Sequence, residues 1–407
     1  MTPLKLHKTL IEAVVQNLSY IFYENKYVDK VIERSLRSNP KWGSRDRAFI
    51  AETTYDIVRW WRLYQYCLYG SEEMRMPKLF EMYRIIAVHL LLNNIDLPDW
   101  KEFDGVDAKK IIYFSNQAKN IRKIKNSIPD WLDELGFISL GEKWDNEMAA
   151  LNQPAPLVLR VNALKTDKAS LQKIFNDKKI KASFIPGHKD ALLIYNRQNL
   201  FNHEEFKDGL FEVQDASSQL VAEMLQVLPG MRVIDACAGA GGKTLHLAAL
   251  MQNKGRIISM DTEQWKLDEL KKRARRAGVN NLETRLIEGA KSIKKSEASA
   301  ERLLLDVPCS GLGVMKRNPD AKWKLQNDFI EKIKRVQADI LEQYAVMLKP
   351  GGHMVYATCS ILPAENNLQV AAFLDKNKNF ILEEEKHIFP AESGFDGFYM
   401  ARLKKND

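Results

Sequence analysis

The 407-residue sequence has only four cysteines, with no C-x-x-C pair and no spacing to histidine that a zinc site would need. This pattern excludes a disulfide framework and predicts no metal site. The chain also lacks any apolar run approaching the roughly 18 residues of a membrane-spanning helix. Its first residues lack the continuous apolar core of a secretory signal peptide. We therefore expect a cytoplasmic protein that is not attached to a membrane.

The excess of positive charge is small. Sixty-one Lys and Arg oppose 53 Asp and Glu, which gives a net charge of +8. Such an excess favours a polyanionic partner, but it is equally compatible with a charge that only keeps the protein in solution. Residues 271–276, KKRARR, concentrate five cations in six positions. Runs of this kind are commonly solvated helix faces, so charge alone leaves the partner open.

The pattern of apolar residues changes at two places along the chain. Residues 1–150 have the periodicity of amphipathic helices, and two prolines in LNQPAP (151–156) end that pattern. Short β-like runs then alternate with helix-like segments and predict a small α+β subdomain over 151–228. From 229 to 407, five apolar runs are separated by helix-length stretches. This alternation predicts an α/β domain with a doubly wound parallel sheet, in which ligands bind beyond the carboxyl ends of the strands.

A glycine-rich segment, DACAGAGGKT (235–244), follows the first of these strands but fits neither common phosphate-binding pattern. A P-loop would need glycine at Cys237, and a dinucleotide fingerprint would need glycine at Thr244. Asp261 ends the next strand, about 20 residues further on, where a carboxylate can accept hydrogen bonds from both ribose hydroxyls. The pattern favours an adenosine-containing cofactor, with an ordinary surface aspartate as the alternative.

Two cysteines stand directly after two neighbouring strands. In LLLDVPCSGLG, Asp306 and Cys309 follow a buried apolar run, and in HMVYATCSILPAEN, Cys359 holds the matching place after the next strand. Either cysteine alone would be interpreted as a small buried hydrophobic residue. Two thiols at neighbouring strand ends are placed to reach a ligand, so together they favour a binding or reactive site over two buried hydrophobic residues.

These segments, with RNPDAKW, LKPGG and the terminal DGFYMARLKK, resemble the Nop/Sun family of RNA cytosine-5 methyltransferases over about residues 200–404. Upstream, LRVNALKT and GLFEVQDASSQL resemble that family's RRM-like subdomain. SRDRAFIAETTYDIVR and SIPDWL resemble the NusB-like helical domain of its bacterial ribosomal-RNA members. The resemblance implies a Rossmann-like class I methyltransferase domain (229–407), preceded by an RRM-like subdomain (151–228) and an RNA-binding helical domain (1–150).

The resemblance also implies the roles of individual residues. Cys359 would add to carbon 6 of cytosine, Cys309 would assist loss of the carbon-5 proton, and Asp306 would hydrogen-bond the ring as a proton donor. The expected cofactor is S-adenosylmethionine, and Lys243 is expected to contact Asp306 or a loop carbonyl. The residues implied to hold the cofactor are Cys237, Ala238, Gly239, Ala240, Gly241, Gly242, Lys243, Asp261 and Asp306.

Two departures from the family pattern accompany this match. The family has Ala-Pro where this chain has Gly239 and Ala240, which predicts a less rigid turn. The family also has an acid after the third strand, where this chain has Gly289. Glu288 could replace that acid only if the strand end is slipped or bulged, because neighbouring strand residues point to opposite faces.

The expected substrate is small-subunit ribosomal RNA, acted on by a monomer. Transfer RNA is an alternative substrate. A non-catalytic RNA-binding or ribosome-assembly factor is a second class of function, although a pure binder has no need of two placed thiols. A third alternative is the mechanism of DNA cytosine-5 methyltransferases, in which the thiol of the Pro-Cys motif, here Cys309, is the nucleophile.

Overall fold

The structure is a computed structural model that describes residues 6–195 and 199–407. The chain forms two compact units, one comprising Met1–Gln153 and Met315–Asn327 and the other Pro154–Val314 and Asp328–Asp407. The second unit thus contains both the predicted α+β subdomain and the predicted sheet. The first unit takes in a short segment, 315–327, that lies within the range predicted for the sheet domain.

The first unit is helical because its apolar side chains recur on one side of each segment. In the first helix, Ile11, Val14 and Leu18 are buried, at the spacing of an amphipathic helix. The helices of residues 6–153 are α1 Lys8–Phe22, α2 Val28–Ser38, α3 Ser44–Arg59, α4 Trp61–Tyr69, α5 Leu79–Leu92, α6 Ala108–Ala118, α7 Arg122–Lys125, α8 Asp130–Leu140 and α9 Lys143–Leu151.

Residues 315–327 are anchored in this helical unit by polar contacts. Lys322 is fully buried, and its Nζ donates to the Arg59 carbonyl at 2.7 Å and to Asn152 Oδ1 at 2.9 Å. The indole Nε1 of Trp323 donates to the Val58 carbonyl at 2.6 Å. A buried ammonium is costly unless its donors are satisfied, and burial lowers the pKa of Lys322 well below its ordinary value. The motif RNPDAKW therefore serves, at least through Lys322 and Trp323, to hold this segment among the helices.

The second unit begins with a four-stranded antiparallel sheet of order β2-β3-β1-β4, in a β-α-β-β-α-β arrangement. Three of its strands match the β-like runs LVLRVN, ALLIYN and LFEVQD of the sequence, and β2 was not predicted. The elements are β1 Leu157–Val161, α10 Lys168–Asp177, β2 Ala182–Phe184, β3 Ala191–Ile194, α11 Glu204–Lys207 and β4 Phe211–Val213.

The rest of the second unit is a seven-stranded sheet of order β10-β11-β9-β8-β5-β6-β7. Its five strands β5 to β9 are parallel, as the alternating pattern predicted. The elements are α12 Ala216–Met224, β5 Arg232–Asp235, α13 Gly242–Leu250, β6 Arg256–Asp261, α14 Gln264–Ala277, β7 Leu282–Leu286, α15 Ala290–Lys294, β8 Ala300–Asp306, α16 Ala321–Lys324 (in the segment anchored among the helices), α17 Asn327–Tyr344, β9 Leu348–Thr358, α18 Asn367–Lys376, β10 Phe380–Ile388, α19 Pro390–Ser393 and β11 Phe398–Lys405.

The register of the central strands brings the sequence motifs to one edge of this sheet. Ile234 in β5 pairs with Leu303 in β8 and with Ile258 in β6, and all three side chains are buried. Because the strands are parallel and their cores are aligned, β5, β6, β8 and β9 end beside one another. Asp261 is the last residue of β6 and Asp306 the last of β8, while Cys359 directly follows β9.

The terminal motif DGFYMARLKK is a strand as well. It forms β11, which lies antiparallel between β9 and β10, with Tyr399 paired to Thr358. This pairing places the residues just before β11 next to the cysteine that follows β9. Among the described residues, no helix is both long and apolar enough to span a membrane.

Candidate active site

The glycine-rich loop between β5 and α13 is shaped by two glycines in the left-handed region. Gly239 has φ 53° and Gly241 has φ 86°. A Cβ at Gly241 would lie 2.5 Å from Leu270 Cγ in the neighbouring helix, so the loop can pack there only without a side chain. The Ala238 amide donates to the Met260 carbonyl at 2.9 Å. The loop is thereby held across the end of β6.

Two arginines hold the loop where the family's proline is missing. Arg273 in α14 donates from Nη1 to the Ala240 carbonyl at 2.8 Å, and Arg160 in β1 donates to the Gly242 carbonyl. Arg160 is buried, and burial lowers its pKa to about 10. The turn predicted to be less rigid is thus braced by side chains from two other elements. Both arginines are distant from the loop in the sequence, so the loop sequence alone could not predict these contacts.

Asp261 joins the end of β6 to the same loop. Its Oδ2 accepts a hydrogen bond from the Gly239 amide at 2.9 Å, and its Oδ1 accepts one from the Glu263 amide at 3.0 Å. A carboxylate has about four acceptor positions, so two remain for further donors such as ribose hydroxyls. A Cβ built at Gly239 or Gly242 would meet nothing within 4 Å, which leaves open space along the loop. These residues fit an adenosine-containing cofactor.

Lys243 and Asp306 form an ion pair inside this edge of the sheet. Lys243 Nζ donates to Asp306 Oδ2 at 2.6 Å, one of the two contacts expected for this lysine. The Lys243 side chain is 11% exposed and that of Asp306 is 28% exposed. Burial alone would lower the pKa of Lys243, but the adjacent Asp306 carboxylate outweighs burial and raises it. The lysine is therefore charged, and it orients Asp306 at the end of β8.

The two predicted thiols meet. The Sγ atoms of Cys309 and Cys359 are 3.2 Å apart, and both residues are partly buried. The pKa of Cys309 is raised well above its ordinary value, first by the hydrogen bond with Cys359 and then by burial. Two thiolates so close would repel each other, so the pair carries a proton between them. This arrangement offers one nucleophile and one proton-holding group side by side.

Close backbone packing holds the Cys359 loop in place. The Gly313 amide donates to the Cys359 carbonyl at 2.9 Å, and the Gly397 amide donates to the Gly313 carbonyl at 2.8 Å. A Cβ at Gly313 would lie 2.2 Å from the Gly397 carbonyl oxygen and 2.8 Å from the Cys359 carbonyl oxygen. Glycine at position 313 thus allows three backbone segments to meet beside the thiols.

Other predicted residues contribute differently. Burial, and then the charges of Asp235 and Asp306, raises the pKa of Cys237 well above its ordinary value, which makes this thiol a poor nucleophile. Gly289 precedes α15, and the adjacent Glu288 is exposed, with its amide donating to Ser292 Oγ. Within the described part of the chain, Glu288 forms no hydrogen bond or ion pair with the glycine-rich loop. No group of three or more potential metal ligands occurs among residues 6–195 and 199–407.

Comparison with known proteins finds matches for two parts of the chain. Residues 222–404 match the family model of the 16S rRNA methyltransferases RsmB/F, and residues 128–200 match the ferredoxin-like domain of RsmF/B-like methyltransferases. That domain overlaps the β-α-β-β-α-β subdomain, for which an RRM-like fold was predicted.

Curated relatives and a solved structure extend the match. A probable ribosomal RNA small subunit methyltransferase B from Synechocystis sp. is 29% identical and covers 94% of this chain and 96% of its own. Ribosomal RNA small subunit methyltransferase B from Vibrio cholerae is 31% identical over 83% of this chain and 75% of its own. The crystal structure of a methyltransferase homolog protein from Pyrococcus horikoshii is 27% identical, covers 70% of this chain and 97% of its own, and has a TM-score of 0.63.

Proposed function

Since the chain belongs to the RsmB/F family of 16S rRNA methyltransferases, we propose that it methylates carbon 5 of a cytosine in small-subunit rRNA through a covalent cysteine–cytosine intermediate. The observation that carries this proposal is the thiol pair, with Cys309 and Cys359 3.2 Å apart at the ends of adjacent parallel strands. A protein that only bound RNA would have no need of two such thiols beside a charged Lys243–Asp306 pair.

The loop and Asp261 support S-adenosylmethionine as the cofactor. Gly239 and Gly241 adopt left-handed backbone conformations that allow the loop backbone to lie close to a ligand. Asp261 has acceptor positions free for the ribose hydroxyls. When bound there, S-adenosylmethionine supplies the electrophilic methyl group that carbon 5 of the cytosine takes. The fold neighbour NSun6 from Pyrococcus horikoshii was crystallised with SFG, which agrees with a ligand site in this fold.

Covalent catalysis overcomes the low nucleophilicity of cytosine carbon 5. In the proposed reaction the Cys359 sulfur bonds to carbon 6, and the double bond between carbons 5 and 6 opens into an enamine whose carbon 5 is nucleophilic. Asp306 passes a proton to the ring nitrogen that gains charge. That proton comes from the Lys243 ammonium, which lies 2.6 Å from Asp306 and becomes a neutral amine.

The second thiol acts after methylation. Cys309 takes the proton from carbon 5, the electrons of that bond restore the double bond, and the Cys359 sulfur leaves carbon 6. The hydrogen bond between Cys309 and Cys359 is the largest cause of the raised pKa of Cys309. Once Cys359 is bonded to carbon 6 it carries neither a proton nor a charge, so Cys309 can release its proton to solvent and act as the base.

A base stacked in a duplex is inaccessible to a thiol, so the target must be flipped out or single-stranded. The helical domain (1–150) and the small subdomain (151–228) are proposed to bind the flanking RNA, with the protein acting as a cytoplasmic monomer. Transfer RNA remains the alternative substrate. Mapping 5-methylcytosine in RNA from cells with and without the gene would distinguish the two.

The mechanism is tested by incubating Cys309→Ala and Cys359→Ala with RNA and cofactor and running denaturing gels. Cys309→Ala should accumulate a covalent protein–RNA adduct, because the intermediate cannot resolve, and Cys359→Ala should form none. The reverse outcome would assign the nucleophile to Cys309, as in DNA cytosine-5 methyltransferases. Absence of both adduct and methyl transfer would favour a non-catalytic RNA-binding factor.

A further inference from the structure

A buried carboxylate lies behind the thiol pair. Glu365, in a short 3-10 helix after β9, is fully buried. It accepts four hydrogen bonds, from the Ser310 amide at 2.8 Å, Ser310 Oγ at 2.5 Å, Ser360 Oγ at 2.5 Å and Gln337 Nε2 at 3.0 Å. A carboxylate has about four acceptor positions, so these donors account for all of them.

Three of the four donor atoms belong to the residues that follow the two cysteines. Ser310 comes directly after Cys309, and Ser360 directly after Cys359. The side-chain amide of Gln337 also donates to the Pro308 carbonyl at 3.0 Å, so the network reaches both sides of Cys309. One carboxylate therefore ties together the two loops that carry the thiols.

We propose that Glu365 is the positioning residue of the thiol pair, joining the Cys309 and Cys359 loops through one buried carboxylate whose negative charge acts on the Cys309 thiol. The inference rests on the proposed covalent mechanism for its catalytic meaning. Its structural content, the link between the two loops, stands on the contacts alone.

The charge of Glu365 acts on the Cys309 thiol. A negative charge nearby disfavours ionisation of a thiol. The hydrogen bond with Cys359, burial, the charge of Cys359 and the charge of Glu365 all raise the pKa of Cys309, in decreasing order. Replacing Glu365 with glutamine would remove one of these causes. The amide would also present its own donor where the native carboxylate accepts, leaving some of the four donors unpaired.

The test measures thiol ionisation in the full chain, without RNA or cofactor. The rate of alkylation of Cys309 by iodoacetamide would be followed against pH by peptide mass spectrometry. In Glu365→Gln we expect the pH at which the alkylation rate of Cys309 reaches half its maximum, the Cys309 midpoint, to fall by about one pH unit. Asp375→Asn, an exposed acid on α18, is the matched control and should leave it unchanged. A purely structural role of Glu365 would loosen the loops without this downward shift, so an unchanged midpoint would overturn the proposal.

A second variant separates geometry from charge. Ser360→Ala keeps the carboxylate but removes one of its donors, so the Cys309 midpoint should not change. In a Cys309→Ala background, Ser360→Ala should lower adduct formation about tenfold, because catalysis is sensitive to the placement of the nucleophile. Equal adduct formation with and without Ser360→Ala would contradict the positioning role. If Glu365→Gln fails to fold, Glu365→Asp keeps the charge on a shorter side chain and should give the same pattern as Ser360→Ala. Loss of the proposed methyltransferase function would leave the alkylation result unaffected.

Discussion

Lys243, in the first turn of α13, and Asp306, at the end of β8, are 63 residues apart in the chain and meet in an ion pair of 2.6 Å at the site edge of the sheet. The lysine follows the glycine-rich loop and the aspartate ends β8. Their contact links the region proposed for the cofactor to the region proposed for the cytosine. The same Lys-Thr that suggests a phosphate-binding loop in the sequence thus has an intramolecular partner.

Lys243→Met should abolish most methyl transfer. Without the ammonium, Asp306 loses both its orientation and the group that supplies the proton for the cytosine ring. General-acid assistance of this kind is commonly worth about 100-fold or more in rate. Methylation would be measured with labelled cofactor at saturating RNA. Lys332→Met, an exposed lysine of α17, is the matched control. Methylation by Lys243→Met at a rate near that of the parent would contradict the role given to the ion pair.

Arg273→Ala should weaken binding of S-adenosylmethionine about tenfold. The guanidinium holds the Ala240 carbonyl, and a hydrogen bond to a charged group is worth about 1.5–3 kcal/mol, of which about 1.4 kcal/mol corresponds to a tenfold change. Isothermal titration calorimetry would report the Kd. Lys272→Ala removes the neighbouring exposed cation and should bind the cofactor as the parent does. Equal weakening in both variants would point to general charge rather than to bracing of the loop.

Gly313→Ala should damage activity more than stability. Its Cβ would lie 2.2 Å from the Gly397 carbonyl oxygen and 2.8 Å from the Cys359 carbonyl oxygen, so the Cys359 loop must move. We expect methylation to fall about 100-fold, since a displacement of 1 Å can have that effect, and overpacking to cost about 1–3 kcal/mol of stability. Gly43→Ala, whose Cβ would meet only Asp46 Oδ2 at 3.9 Å, serves as the control. Wild-type kinetics in Gly313→Ala would show that the loop tolerates the shift.

His246 should make the free energy of unfolding depend on pH. It is fully buried in α13 beside Asp190, and burial lowers its pKa from an ordinary 6.5 to about 4. Between these values the unfolded chain takes up a proton that the folded chain does not, so stability is complete above pH 6.5 and falls as the pH drops through 4. The loss should approach roughly 3 kcal/mol, at about 1.4 kcal/mol per pH unit.

Chemical denaturation of the parent and of His246→Gln at pH 7 and pH 4.5 would measure this effect. Carboxylates also titrate below pH 5, so the difference between the two proteins isolates the histidine. The parent should lose more stability than the variant over this range. Parallel losses in the two proteins would mean that His246 is protonated at equal cost in the folded and unfolded states.

The sequence predicted the parallel sheet and its strand ends because these depend on local pattern. Buried parallel strands need continuous apolar runs, and each run is followed at once by the residues that it delivers to the edge, such as Asp261, Asp306 and Cys359. The Cys359 nucleophile itself was assigned through a family resemblance. Its reactivity is a proposal that the gel experiment addresses.

Contacts between distant segments were beyond the sequence pattern. Arg160 meets the loop from a strand 82 residues upstream, and Glu365 reaches Ser310 from 55 residues downstream. An arginine in a short strand and a glutamate just after a strand have many ordinary explanations, and only the tertiary arrangement shows their partners. The position of residues 315–327 among the helices was unpredictable for the same reason.

That segment affects how the protein could be dissected. The chain leaves the sheet-bearing unit after Val314, contributes Lys322 and Trp323 to the helical unit, and returns by Asp328. Together with the connection near Gln153, the polypeptide passes from one unit to the other three times. No single cut releases either unit intact. A fragment beginning after residue 153 would carry Lys322 and Trp323 without the residues of the helical unit that accept their hydrogen bonds.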